Sequence, residues 1–492
     1  MSLITSDFTR RWPGGCMVWR FHPGLSDDEK DIAQKAMDHW QERANVRFIK
    51  RTTQSSFVTF MADDNIDDVS HSSSIGMGGG EQFVRLEPIT PDSSRTRTAR
   101  HEIGHALGLH HEHQRCDRND FVNVSNNIKL ERLFDFDRKC GDDYEDVGGY
   151  DFTSIMQYNE SPGATTNGEP ALTGTNDANQ ALLEDKDSRK DVSPGDAAGI
   201  AKLHGGNAHI YQLSASGQIE KTVRQDSWSG GWTTATPFQM DVRNFMLFLK
   251  RSDGTMHLNS INFNGTVGDR VETRDWTSGW TTAIKYAIGP FNYFLFYKSG
   301  NGTLHIHDIN ANGTIGHRKV DEEIESGWTH IRHYAVGPSN FLFLYNAGTG
   351  EARVRSIQWD GTVGGSLQAW TGSPGWTCVE PYTAGGRNYL FRLKASNGLM
   401  NIRNIRADGT ISSDDTDSRD WTANWTNAIP YYIGGTTYLL LLKSGTGRLD
   451  ICRLRGDGTV GATTDRREFG PGWTVGSIYY VGIGTFLILV KT

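Results

Sequence analysis

A Trp-Thr dipeptide recurs at Trp232, Trp280, Trp328, Trp376, Trp425 and Trp473, at intervals of 48 or 49 residues. A fixed period of this length with four strand-like runs per unit predicts sheets repeated around an axis, because one unit alone cannot bury its apolar face. Within one unit, Tyr293–Lys298 is an apolar run and Ser299–Gly302 a turn. Thr303–Ile309 alternates, Asn312-Gly313 forms a hairpin turn, and Thr314–Val320 and Thr329–Val336 supply the remaining strands. Six marks predict a six-bladed β-propeller over residues 206–492. The first repeat opens at its second strand, His209–Leu213, and lacks the apolar first strand. The chain ends with Phe486–Val490, an apolar run expected to fill that first-strand place and join the two ends of the ring. The repeat also accounts for the high content of Gly (56) and Trp (14). The recurrent Trp reads as packing between blades, with an aromatic platform for sugars, one per blade, as the functional alternative. Asn264, Asn301 and Asn312 each open an Asn-Gly-Thr acceptor pattern, and the turn reading takes precedence over glycosylation.

The first 205 residues carry different chemistry. His101, Glu102, His105, Gly108 and His111 form H-E-x-x-H-x-x-G-x-x-H. On a helix expected from Ser94 to Leu109, His101 and His105 lie one turn apart on the same face and can converge on one ion. Gly108 takes positive φ at little cost, so the chain can turn there and return His111 as a third ligand. Three neutral imidazoles around Zn²⁺ leave an open position for water, as a catalytic site requires. Glu102 is placed to handle that water. His110 and His113 fall off the ligand spacing and read as surface residues or as supports for the ligands. Downstream, Ser154–Tyr158 reads as a tight turn in which Met156 floors the histidines and Tyr158 points a phenol towards the metal.

Together these residues resemble the astacin-type metzincin metalloproteases. That family extends the motif to H-E-x-x-H-x-x-G-x-x-H-E-x-x-R-x-D-R, and Glu112, Arg115, Asp117 and Arg118 occupy the added positions. Gln157 stands where the family usually has His in its Met-turn, at a position that is not a ligand. The resemblance spans roughly residues 10–205. It implies an α+β metzincin protease domain (1–205) followed by the all-β propeller (206–492). It also implies that Tyr158 is a fifth, movable zinc ligand and that Glu112 anchors the mature amino terminus. The metal set is then His101, His105, His111 and Tyr158, with Glu102 and Tyr158 catalytic.

Around the motif, Ser26 caps a helix whose first turn is acidic and whose buried face is Ile32, Ala33, Ala36, Met37 and Trp40. Residues 15–21, 46–49 and 57–61 read as strands and 62–80 as loop. Gln82–Leu86 reads, by the family pattern, as an antiparallel edge strand lining the cleft. Residues 159–187 read as a polar loop bordering it. Ser193 to Leu203 is a final helix, packed by Ala197, Ile200, Ala201 and Leu203.

A net charge of −8 argues against nucleic-acid binding, and no run is long enough for a membrane-spanning helix. Met1–Leu3 run at once into polar residues, so no signal peptide is expected. Nor is a pro-segment, since Trp12 and Met17–Phe21 already match the mature domain; it was trimmed or is lacking. Five cysteines are few for a secreted protein of this size. Cys116 and Cys140 could pair, and Cys16, Cys378 and Cys452 look free or buried. The expectation is a monomeric zinc endopeptidase, secreted and bacterial or delivered as an effector. It would act on protein or peptide substrates, with the propeller targeting it to a glycan or protein. The rivals are a lectin-like binding protein carrying an inactive protease domain, and an amidase or deamidase using the same zinc chemistry.

Overall fold

The computed structural model describes residues 2–44, 46–62, 72–86 and 92–491. The chain divides into two compact units, Met1–Gly206 with Glu220–Gln225, and Asn207–Ile219 with Asp226–Thr492.

In the first unit a four-stranded sheet has the order Arg47–Lys50, Cys16–Phe21, Phe57–Ala62, Glu81–Leu86. All its pairings are parallel. The helix Asp27–Arg43 opens with a capping box in which the Ser26 hydroxyl accepts from Glu29 N and Glu29 Oε2 accepts from Ser26 N at 2.8 Å. Its buried face is the expected one. That face packs on the helix Asp92–Leu107, where the Trp40 indole donates to Arg100 O at 2.8 Å. The fully buried Trp12, Met17, Val18, Ile103, Ala106, Ile155 and Met156 belong to one core.

Four expectations are corrected here. The histidine helix runs two residues earlier at both ends, stopping at Leu107, because Gly108 with φ 115° breaks it. Glu81–Leu86 is parallel to Phe57–Ala62, not antiparallel, and its free side is covered by an antiparallel bridge between Ser72 and Val84. An alternating strand buries the same residues in either direction, so its pattern carries no orientation. Of the expected loop 62–80, residues 63–71 lie outside the described residues. The stretch 159–187 is not all loop: Leu172–Gly174 pairs with Val122–Val124, and Asn176 caps a helix Asp177–Glu184 that buries Leu183. In the final helix, Pro194–His204, Ile200 and Leu203 are buried as expected, but Ala201 is exposed and Asp196, Gly199 and His204 are buried instead.

The second unit is a six-bladed propeller of four-stranded antiparallel sheets. The phase of the repeat differs from the sequence reading. Each blade starts on the Trp-Thr strand, so Thr282–Ile288 is innermost, followed by Phe291–Tyr297, Thr303–Ile309 and Ile315–Glu323. The two-residue connection Gly289-Pro290, with Gly289 at φ 53°, ties its flanking strands into one hairpin. His330–Val336 therefore opens the next blade. Closure consequently uses two strands from each end, in the order Ile219–Asp226, Ala208–Leu213, Gly484–Lys491, Trp473–Val481. The closing strand is second from the axis rather than first, and it pairs on both sides.

Neighbouring blades are stitched at equivalent positions. The hydroxyls of Tyr286, Tyr334, Tyr382, Tyr431 and Tyr479 donate to the turn carbonyls of Gly361, Gly409, Gly458, Gly217 and Gly265. The six recurrent indoles are at most 4 % exposed, which supports the packing reading. A lysine ammonium lies 4.5–4.9 Å from the ring of five of them. The Asn-Gly-Thr sites are turns: Asn264 and Asn312 accept from the amide and hydroxyl of the following Thr, as does Asn301.

Candidate metal centre

His101 and His105 project from one face of their helix, and the turn at Gly108 brings His111 against them. His111 Nε2 lies 3.2 Å from His101 Nε2 and 3.0 Å from His105 Nε2. The other nitrogens are committed. His101 Nδ1 donates to Ile155 O and His105 Nδ1 to Leu109 O, each at 2.8 Å. A neutral imidazole with its proton on Nδ1 presents a lone pair at Nε2. The lone pairs of His101 and His105 thus face the His111 ring at a separation that a single shared proton cannot satisfy, and a cation can. Burial, then mutual repulsion, pushes His101 down to about 3. Burial likewise pushes His105 to about 4, and His111 lies well below the ordinary histidine value. The rings stay neutral and able to ligate. Each fixed tautomer is a support of the kind metal-ligating histidines use, so the donor set fits Zn²⁺.

Glu102 is 5 % exposed, and burial raises its pKa to about 8 against the opposing hydrogen bond from the Ser72 backbone. A neighbouring cation would work against that rise. Met156 is fully buried beneath the helix, and a Cβ on Gly104 would sit 2.6 Å from its sulfur. Gly104, one of the unspecified positions of the motif, is thus needed for the Met floor to approach. Asp196 supports the same turn, accepting from the hydroxyls of Ser2 and Ser154 and the amides of Ile155 and Ser193. Its only trace in the sequence is the Ser193–Asp196 spacing of a capping box.

Tyr158 stacks on His113, with ring centroids 4.4 Å apart, and its ring lies 4.2 Å from that of His111. Burial raises its pKa to about 12. Gln157 accepts from the Tyr150 hydroxyl at 2.6 Å and donates to Tyr158 O at 2.7 Å. His113 is fully buried and bonds Asp135 O, whereas His110 is partly buried against Tyr144. The added motif residues form a lock. Glu112, fully buried, accepts from Asp151 N at 2.9 Å and faces Arg115 at 3.6 Å. Arg115 pairs bidentately with Asp117 and donates to Gly148 O. The expected anchoring of the amino terminus by Glu112 involves Met1, which lies outside the described residues. Cys116 and Cys140 form a disulfide, and Cys16, Cys378 and Cys452 are free and buried.

The sequence profile of the astacin peptidase family matches residues 4–205. The chain is 32 % identical over 157 residues to bone morphogenetic protein 1 of Xenopus laevis, an overlap covering 31 % of this chain and 21 % of that protein. It is 30 % identical over 171 residues to zinc metalloproteinase nas-14 of Caenorhabditis elegans, covering 33 % of this chain and 31 % of the relative. The chain therefore spans a third or less of the length of these two relatives. Among solved structures it is similar to high choriolytic enzyme 1, a hatching enzyme zinc-protease from Oryzias latipes. The identity there is 22 %, over 40 % of this chain and 94 % of that one, with a TM-score of 0.33. Residues 4–205 are an astacin domain, in a chain that continues as a six-bladed β-propeller.

Proposed function

We propose that this chain is a zinc-dependent endopeptidase in which His101, His105 and His111 hold the metal and Glu102 and Tyr158 act on the substrate. The observation that carries the reading is the convergence of three Nε2 atoms, two of them with their Nδ1 protons committed to backbone carbonyls. Bound Zn²⁺ supplies Lewis-acid polarisation of the scissile carbonyl and makes water nucleophilic near neutral pH. Glu102 takes the proton of the attacking water and returns it to the leaving amine nitrogen. The Tyr158 hydroxyl donates to the oxygen on which negative charge develops, and as a movable fifth ligand it would leave the metal when substrate arrives. Met156 and Asp196 hold the floor and do not react. The intact set favours an enzyme over an inactive domain. Incubation with casein, with mass spectrometry of the products, separates the readings. Internal peptide cleavage supports the endopeptidase, released ammonia without new termini supports a deamidase, and no product at full zinc occupancy supports the binding protein.

The propeller, residues 206–492, is read as the part that directs the enzyme to a glycan. Two blade junctions open as cavities of about 270 and 240 Å³, each lined by two indoles, Trp421 with Trp425 and Trp228 with Trp232. The buried Trp425 Nε1 has no partner, and Arg448, Arg466 and Asp450 stand beside it as polar groups for hydroxyls. A glycan array probed with the full chain and with Trp421→Ala tests this. Binding lost in the variant supports it, equal binding moves the glycan to a surface other than this cavity, and no binding by either favours a protein ligand. Secretion, a bacterial source and a monomeric state belong to the same reading. A single species of the chain's mass in culture medium is the expected observation.

A further inference from the structure

A cavity of about 870 Å³ opens between the helix Asp27–Arg43, the helix Asp92–Leu107 and the segment 186–191. None of His101, Glu102, His105, His111 and Tyr158 lines it. Three arginines of its wall are locked by hydrogen bonds to carbonyls, with donors left over. Arg97 Nε donates to Arg189 O at 2.9 Å. Arg100 Nη1 donates to Lys190 O at 2.9 Å and to Asp191 Oδ1 at 2.8 Å, while its buried Nε has no partner among the described residues. Arg189 is the most buried residue of the wall, at 1 % exposure. Its Nη2 donates to Leu183 O at 2.7 Å, and its buried Nη1 likewise has no partner. The charges do not cancel. Arg100 pairs with Asp191, and Lys190 with Asp187 at 2.7 Å. Among the described residues Arg97 and Arg189 are bonded to carbonyls and to no carboxylate. The rim acids Asp38 and Glu42 are exposed, and Glu42 faces Arg43 at 3.6 Å.

We propose that this cavity binds a doubly charged tetrahedral oxyanion, a phosphate or a phosphate monoester, on the guanidiniums of Arg97, Arg100 and Arg189. A buried guanidinium with an idle N–H carries the desolvation cost of a charge and of a donor at once. Two such cations without carboxylates call for two negative charges, and the planar fork of a guanidinium matches phosphate oxygens. Burial, then the nearby Arg97 charge, pulls the Arg189 pKa below its ordinary value, and an anion beside the two would oppose that shift. The cavity is far larger than the ion, so an organic group on the fourth oxygen has room, with the exposed Lys186 beside it. Once bound, the anion would tie the helix that carries His101 and His105 to the segment leading into Pro194–His204. It is a ligand that holds the first unit together, not one that is turned over.

The test is calorimetric titration of the full, zinc-loaded chain with inorganic phosphate and with O-phosphoserine, in chloride at constant ionic strength. Both should bind. Arg97→Gln should weaken binding about tenfold or more, and Arg97→Lys, which keeps the charge but not the fork, should weaken it less. Native mass spectrometry, by finding the parent's zinc content in each variant, shows that the fold is kept. Tighter binding of phosphoserine assigns the site to a phosphorylated molecule, and phosphate binding as tightly or more tightly assigns it to the free ion. Either outcome supports the proposal. It is overturned if neither ligand binds at millimolar concentration, or if both arginine variants bind as the parent does. It is also overturned if phosphate inhibits cleavage of an unphosphorylated peptide competitively in the parent and not in Arg97→Gln, because the cavity would then be a substrate pocket.

Discussion

Ending the chain at Ile483 should abolish cooperative folding of the propeller rather than trim a tail. The strand Gly484–Lys491 is hydrogen-bonded on both sides, to Trp473–Val481 and to Ala208–Leu213. It buries Phe486 to 4 % exposure and Leu487, Ile488, Leu489 and Val490 completely. Full burial of such side chains is worth about 1.5–3 kcal/mol each, so the five contribute roughly 8–15 kcal/mol, an upper figure because the unfolded chain is not fully extended. The net stability of a domain is about 5–15 kcal/mol. The loss therefore matches the whole margin, before counting two unpaired ladders. A milder control is Leu487→Ala, expected to cost about 2–5 kcal/mol. The assay is calorimetry of the full chain. The truncated chain should lose the propeller's transition and aggregate, and Leu487→Ala should lower its midpoint. A truncated chain that unfolds at the native midpoint and stays soluble would refute both the closure and the energetic reasoning.

Other consequences can be checked separately. Gly104→Ala should destabilise the first unit by about 1–3 kcal/mol, since its Cβ meets the Met156 sulfur at 2.6 Å and the Trp40 ring at 3.2 Å; urea unfolding of the variant measures it. Burial, then the neighbouring Arg332 charge, pushes His330 down to about 3, below its ordinary 6.5. A group depressed in the folded state contributes stability at neutral pH that is lost as pH falls from about 6.5 towards 3, with about 2 kcal/mol gone by pH 5. His330→Gln, which keeps a donor for Trp376 O, should flatten the propeller's stability between pH 7 and 5. Equal slopes in mutant and parent would contradict this.

Features set by local chemistry were legible in the sequence. The spacing of His101, His105 and His111 requires only a helix and one glycine turn, and both form, the helix two residues earlier than read. Ser26 and Ser193 announce their helices because a cap acts within three residues. The period gave the blade number, since six equivalent indoles need six equivalent places. The sequence reading misses the blade boundary although it leaves a mark: the strand before a Trp-Thr mark is polar and exposed, as Ile315–Glu323 is, and the strand after it, such as His330–Val336, is more apolar and more buried. The boundary is decided by which connection is short enough to force a hairpin, and Gly289-Pro290 carries that information. The direction of Glu81–Leu86 leaves no mark in an alternating pattern. Leu172–Gly174 and Asp177–Glu184 are too short for a period to show. Asp196 reaches the site from 95 residues beyond His101 along the chain, through backbone amides that no side-chain pattern reports.

The central claim, that three histidines hold a zinc ion which Glu102 puts to work on peptide bonds, is tested most directly by measuring zinc content and casein cleavage together in the native chain and in Glu102→Ala. Native mass spectrometry should find one zinc in both. Cleavage should fall by about 10²–10⁴-fold in the variant, the usual worth of general acid–base help. A variant that keeps its zinc and cleaves at the native rate, or a native chain that binds no zinc at all, would contradict the account.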